Sequence, residues 1–194
     1  MSELFFTSDE HYGHANIIKF CNRPFANIYE MQETLIDNHN ARVKDGDYTY
    51  HLGDMFWRTV TIREAQAILD RLNGKHFLIL GNHDEVAKQL AGRFEWVKDC
   101  VMTGPKPGVW LSHYAHRSWP NSHKGSYHLF GHTHNVLGDF RYSHDAGVDA
   151  NNFTPRSWDE IDTRMKMKGV LPLDEVQLDM KNNPWKSESR SGEK

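Results

Sequence analysis

Apolar and polar positions follow two different rhythms in the first half of the chain, and each change of rhythm marks a new element. Leu4-Phe5-Phe6-Thr7 is a short apolar run that reads as a β-strand ending at Asp9. His14 to Phe20 reads as a brief helix, broken by Asn22-Arg23-Pro24. From Tyr29 to about Arg42, the residues Met31, Leu35, Ile36 and His39 recur at helical spacing, and Asp45-Gly46 marks the turn that follows. Tyr48 to Leu52 is the second strand. Thr61 and Glu64 have the spacing of a capping box, with Ile62, Ala65, Ile68, Leu69 and Leu72 as the buried stripe of the next helix, which Asn73-Gly74 stops. Phe77-Leu78-Ile79-Leu80 is a continuous apolar strand. This order predicts right-handed parallel crossovers with helices over one face of a sheet. Ligands then belong beyond the carboxyl ends of the strands.

The second half has a different character. Phe94 to Thr103, Val109 to Ser112, Tyr127 to Phe130 and Phe140 to Ala146 predict short strands separated by Gly, Pro, Asn and His. They suggest a second, largely antiparallel or mixed sheet packed on the first, an α/β arrangement. After Pro155 the pattern weakens, although Trp158, Ile161, Val170, Leu171, Leu173 and Val176 are apolar enough to pack.

Composition narrows this picture. A chain of 194 residues suits a single domain, placed at 1–185, with a polar and flexible tail over 186–194. The 23 basic and 26 acidic residues leave a net charge of -3, which creates no field suited to an extended nucleic-acid or membrane partner. No apolar run approaches the roughly 20 residues that cross a bilayer, and Cys21 and Cys100 do not form a disulfide framework. A cytoplasmic location is the resulting expectation, and the oligomeric state is left open.

Candidate chemistry lies in five short polar blocks: Asp9-Glu10-His11, Gly53-Asp54, Gly81-Asn82-His83-Asp84, Leu111-Ser112-His113 and Gly131-His132-Thr133-His134. Four of them directly follow a predicted strand, so oxygen and nitrogen donors converge on one edge of the sheets. Each block alone has an ordinary reading as a turn or a solvated loop; their joint occurrence points to a metal site. Gly81 is expected to let the chain bend sharply after its strand.

These blocks, with Gly13-His14 beside the first, make the chain resemble the calcineurin-like metallophosphoesterase superfamily over residues 8–134. It is more narrowly similar to small bacterial and phage members, through Phe20-Cys21-Asn22-Arg23-Pro24-Phe25 and Gly147-Val148-Asp149 as well. The resemblance implies a sandwich of two mixed β-sheets flanked by helices. It also implies that Asp9, His11 and His134 hold one metal and that Asn82, His113 and His132 hold the other, with Asp54 between them. His83 would sit near the leaving group, with Asp84 as its orienting partner. Ser112-His113 stands where many relatives have Gly-His, which leaves the ligand in place.

Charge accounting connects such a site to phosphate. Two divalent ions carry four positive charges, whereas Asp9 and Asp54 supply two negative ones and the other ligands are neutral. The surplus lowers the pKa of a bound water and attracts an anionic ester. Mixed nitrogen and oxygen donors suit Mn, Fe, Zn, Ni or Co. His14, Arg23 and Arg58 are candidate phosphate contacts.

The expected function is therefore hydrolysis of a phosphate ester in a small phosphorylated molecule or nucleotide, with a phosphodiester or cyclic nucleotide preferred. The alternatives are a phosphomonoesterase or nucleotide phosphatase, a nuclease, and a non-catalytic binding protein of the same fold. Nucleic acid is not the favoured partner, and a membrane is not expected.

Overall fold

A computed structural model describes residues 2–168. The predicted packing of Val170, Leu171, Leu173 and Val176, the domain end at 185 and the tail at 186–194 lie outside the described residues. The first sheet begins with β1 (Leu4–Thr7), β2 (Tyr48–His51), β3 (Lys75–Ile79) and β4 (Trp96–Lys98), which pair in parallel in that order. Between them run α1 (Ile17–Phe20), α2 (Ile28–Arg42), α3 (Ile62–Leu69) and α4 (Glu85–Gln89). The Asn27 side chain caps α2, and the Thr61–Glu64 capping box opens α3 as its spacing predicts.

The two-residue period of a strand explains why this sheet has two apolar faces. Met31, Leu35 and Ile36 of α2 and Ala65, Ile68 and Leu69 of α3 bury against Leu78 on one face. Phe6, Tyr50, Leu52 and Ile79 point the other way, into a second core with Val109, Leu111, Tyr127 and Leu129. Those last four residues come from the second sheet, whose order is β5 (Cys100–Thr103), β6 (Val109–Ser112), β7 (Tyr127–Phe130) and β8 (Ser143–Asp145). β5 is antiparallel to β6, while β6, β7 and β8 are parallel, so the sheet is mixed.

The structure departs from the sequence reading in three places, the first being α4, where no element is predicted. The single strand expected over Phe94 to Thr103 is two, since the chain leaves β3's edge after Lys98 and joins β6 from Cys100. An unbroken run of strand-forming residues does not reveal which neighbour each half pairs with. Beyond Pro155 the chain forms β9 (Arg156–Ser157), antiparallel to β1, and then α5 (Trp158–Met167). The signal for α5 was present: Ser157 and Glu160 form a full capping box, and Ile161 and Met165 supply the buried stripe.

The helix-facing side of β2 and β3 also carries polar residues. Thr49, His51 and His76 are buried there, with His39 of α2 against them. His51 Nδ1 lies 2.6 Å from Glu10 Oε1 and its Nε2 lies 3.1 Å from His76 Nδ1. Burial lowers the pKa of His39 to about 4 and of His76 to about 3, which keeps both neutral near pH 7. The chain of contacts thereby holds Glu10 inward, between Asp9 and His11.

Candidate metal centre

All five polar blocks lie at the carboxyl end of a strand: β1, β2, β3, β6 and β7. Backbone pairing continues past the strand ends, with Asp9 N–H donating to Gly53 O and His11 N–H to Asp54 O, both at 3.0 Å. Immediately beyond, the chain is left-handed at Asp9 (φ 59°), His11 (54°), Asp54 (57°), His132 (67°) and His134 (46°). A non-glycine residue costs on the order of 1 kcal/mol or more in such a conformation, and this strain concentrates at functional sites. Here it turns the side chains of five candidate ligands toward a common centre.

The candidate ligands form two groups, and Cys21 and Asp149 form a third with His134. Donor atoms of Asp9, His11 and His134 lie within 4.8 Å of one another, as do those of Asp54, His113 and His132. Asp54 joins the groups, because its Oδ2 is 3.7 Å from His11 Nε2 and 3.5 Å from His113 Nε2. Asn82 Oδ1 lies 3.2 Å from His113 Nε2, on the same side as the second group.

Close packing of the loops requires glycine in three blocks: a Cβ on Gly53 would collide with His113 and with the Gly81 backbone. A Cβ on Gly81 would collide with the Asp54 carboxylate, and one on Gly131 would collide with Ser8 and Asp9. Gly81 does not have a positive φ. Its value is the room it leaves for Asp54, rather than the sharp bend expected from the sequence.

Carboxylates also brace the loops. Asp9 accepts the His132 N–H at 3.0 and 2.9 Å, linking the first block to the last. Asp145, at the end of β8, accepts from Thr133 Oγ1 at 2.7 Å and from the Asn135 N–H at 3.0 Å. Asp149 lies 2.7 Å from His134 Nδ1 and accepts from Arg23 Nε and Nη2 at 2.8 Å each. A carboxylate on one ring nitrogen fixes the tautomer and leaves the other nitrogen free to bind a metal. In the sequence Asp149 stands out only through the Gly147-Val148-Asp149 resemblance; the signal for its role is a carboxylate shortly after the last strand of the second sheet.

The donor chemistry fits divalent metal ions. Both ring nitrogens of His11 are buried without a hydrogen-bond partner, and burial lowers its pKa to about 2, so the ring is a neutral donor. Burial raises the Asp9 carboxyl to about 7, which means that its ionised form needs a nearby positive charge. Burial also opposes ionisation of Asp54, yet His113, the His83 backbone N–H and His11 together hold that carboxyl down at about 2.

The family model for calcineurin-like phosphoesterases matches residues 3–104. The chain belongs to this family. It is 45% identical over 89 residues to an uncharacterised protein of Methanocaldococcus jannaschii, covering 46% of this chain and 51% of that protein, so the chain spans about half of that relative's length. It is 29% identical over 184 residues to the Gene 66 protein of Mycobacterium phage L5, covering 77% of this chain and 88% of the phage protein. The crystal structure of an Aquifex aeolicus protein of unknown function superposes with a TM-score of 0.70 at 27% identity, covering 84% of this chain and all of that one. The sandwich of a five-stranded and a four-stranded sheet agrees with this membership.

Two residues of this calcineurin-like chain have different tasks from those expected. Arg23 is not a phosphate contact, because its side chain is fully buried. Its guanidinium binds Asp149 and donates to the carbonyl oxygens of Asp9 and Glu10, bracing the strained turn from behind. Asp84 does not orient His83. Its carboxylate accepts from the backbone N–H groups of Asp54 (2.9 Å), Met55 (3.0 Å) and Gly81 (2.7 Å), which ties the second block to the third. Asp84→Ala should therefore cost about 1–3 kcal/mol in denaturant unfolding, the penalty for leaving buried donors unpaired. Unchanged stability would refute the bracing role.

His14 and His83 lie beside His11, with ring centroids 5.4 and 5.8 Å from it. His83 is held through its backbone, whose N–H donates to Asp54 Oδ1 at 2.9 Å. His14 stacks on Trp57, and Arg58 is exposed with its guanidinium carbon 5.1 Å from the Trp57 ring centroid. Among the described residues, no helix is long and apolar enough to cross a membrane.

Proposed function

We propose that this protein is a metal-dependent phosphoesterase acting on a small phosphorylated molecule or nucleotide, with a phosphodiester or cyclic nucleotide preferred to a monoester. The observation that carries this reading is Asp54 Oδ2, set between a donor from each of the two groups. Asp9, His11 and His134 would hold one divalent ion, and Asn82, His113 and His132 the other, with Asp54 shared. When bound, the pair supplies positive charge for the phosphate oxygens and for activation of water. Mn, Fe, Zn, Ni and Co suit this donor set.

The chain's own residues do the rest. Asp149 holds His134 in one tautomer, and Asp84 keeps Asp54 and the Gly81 turn in register. His14 and Arg58 would meet the ester's anionic oxygens. His83 stays outside both donor groups and would give a proton or hydrogen bond to the departing oxygen. His83→Ala should slow turnover by about a hundredfold or more while leaving most of the metal bound, measured by elemental analysis beside steady-state kinetics. Equal loss of metal would place His83 among the ligands instead.

The activity is tested by loading the protein with each metal and supplying matched mono- and diesters. Hydrolysis of the diester at the higher rate is expected. Faster cleavage of the monoester would reverse the substrate preference, and no turnover of either ester with any metal would defeat the enzymatic reading.

A further inference from the structure

His83 has a fixed backbone but a side chain without a polar anchor: among the described residues, its imidazole makes no hydrogen bond, and Asp84 is engaged elsewhere. A proton donor whose ring swings freely spends little time aimed at the leaving oxygen. The ring instead meets Trp57, with centroids 4.6 Å apart and planes tilted by 52°. Its next aromatic neighbour is His11, at 5.8 Å.

Trp57 is firmly held. One face stacks on His14, with centroids 3.6 Å apart and planes within 1° of parallel. Its backbone N–H donates to Tyr12 O at 2.9 Å, and Phe56 forms a β-bridge to Tyr12. The indole is thereby locked to the loop that carries Asp9 and His11. Two rigid pieces meet at His83: the turn that Asp54 holds and the aromatic wall that the first loop holds.

We propose that Trp57, backed by His14, is the positioning residue of His83, doing by ring packing what the resemblance assigned to Asp84. The inference rests on the phosphoesterase reading for its kinetic consequence. Trp57 touches no reacting atom. It limits the imidazole to the rotamers that face the leaving group, so its effect depends on how much help the leaving group needs.

Leaving groups separate this role from a merely structural one. An alkoxide is a poor leaving group and needs the His83 proton, whereas a nitrophenolate departs without it. In metal-loaded protein, Trp57→Ala should lose about 10–100-fold on an alkyl phosphodiester, within the range of general-acid effects. The loss on the nitrophenyl diester should be at least about tenfold smaller. Trp57→Ala combined with His83→Ala should be no slower on the alkyl ester than His83→Ala alone. Trp57→Phe, which keeps an aromatic wall, should restore much of the alkyl-ester rate and guards against a folding defect in the alanine variant. Equal losses on the two esters, or multiplicative losses in the double variant, would overturn the proposal.

A readout independent of turnover is the side-chain torsion of His83, followed by three-bond NMR couplings in zinc-loaded protein. One dominant rotamer is expected in the parent and averaging in Trp57→Ala; couplings that do not change would overturn the proposal. If the parent cleaves neither ester, the phosphoesterase reading fails by itself, and the couplings still decide whether Trp57 positions His83.

Discussion

Asp54→Asn is expected to strip most of the metal from the protein and to abolish most of its turnover. The side chain is buried and lies between His11 and His113, so its one negative charge serves both donor groups. Asparagine keeps the size and one oxygen but removes the charge that would offset the two proposed cations in a low-dielectric setting. The affinity loss should exceed the roughly 10–100-fold seen when only an outer hydrogen-bond partner of a metal ligand is removed. Elemental analysis and calorimetric titration with manganese or zinc measure it. Full occupancy with normal turnover would refute a shared role for Asp54.

The second large effect is expected at Asp149. With Arg23 it forms an ion pair whose side chains are 0% and 7% exposed, and its Oδ2 also meets His134. Asp149→Ala leaves the Arg23 charge buried without its partner, a change that costs about 3–5 kcal/mol. For a chain of this size the melting temperature should fall on the order of 10 °C. Metal affinity should drop about 10–100-fold as the His134 ring loses its orienting partner. Excess metal should restore occupancy without restoring all of the lost stability, because the Arg23 charge stays unpaired. A variant that binds metal normally would remove Asp149 from the support of His134.

Legibility followed the range of the interactions. β1, β2, β3, β6 and β7 were readable because each is a short apolar run closed by turn residues, and α2 and α3 because their stripes repeat at a helical period. The ligand candidates were readable because they follow those strands. β9 was missed because two residues carry no periodicity, and α5 because its capping box was passed over. The tasks of Arg23 and Asp84 depend on partners far along the chain: Asp149 lies 126 residues from Arg23, and Met55 lies 29 residues from Asp84.

By itself the sequence determined the alternation of strands and helices through β3, the α/β class, the convergence of five polar blocks on one edge and the residue types that resemble a phosphoesterase site. Those properties are local, set by side-chain period, turn residues and short motifs. Tertiary structure alone decided that Asp54 lies between the two donor groups, that left-handed turns aim the candidate ligands, that Arg23 is a buried brace and that Trp57 stands against His83. Each of these depends on distances between segments remote in the chain, and such distances exist only once the two sheets and their helices have packed.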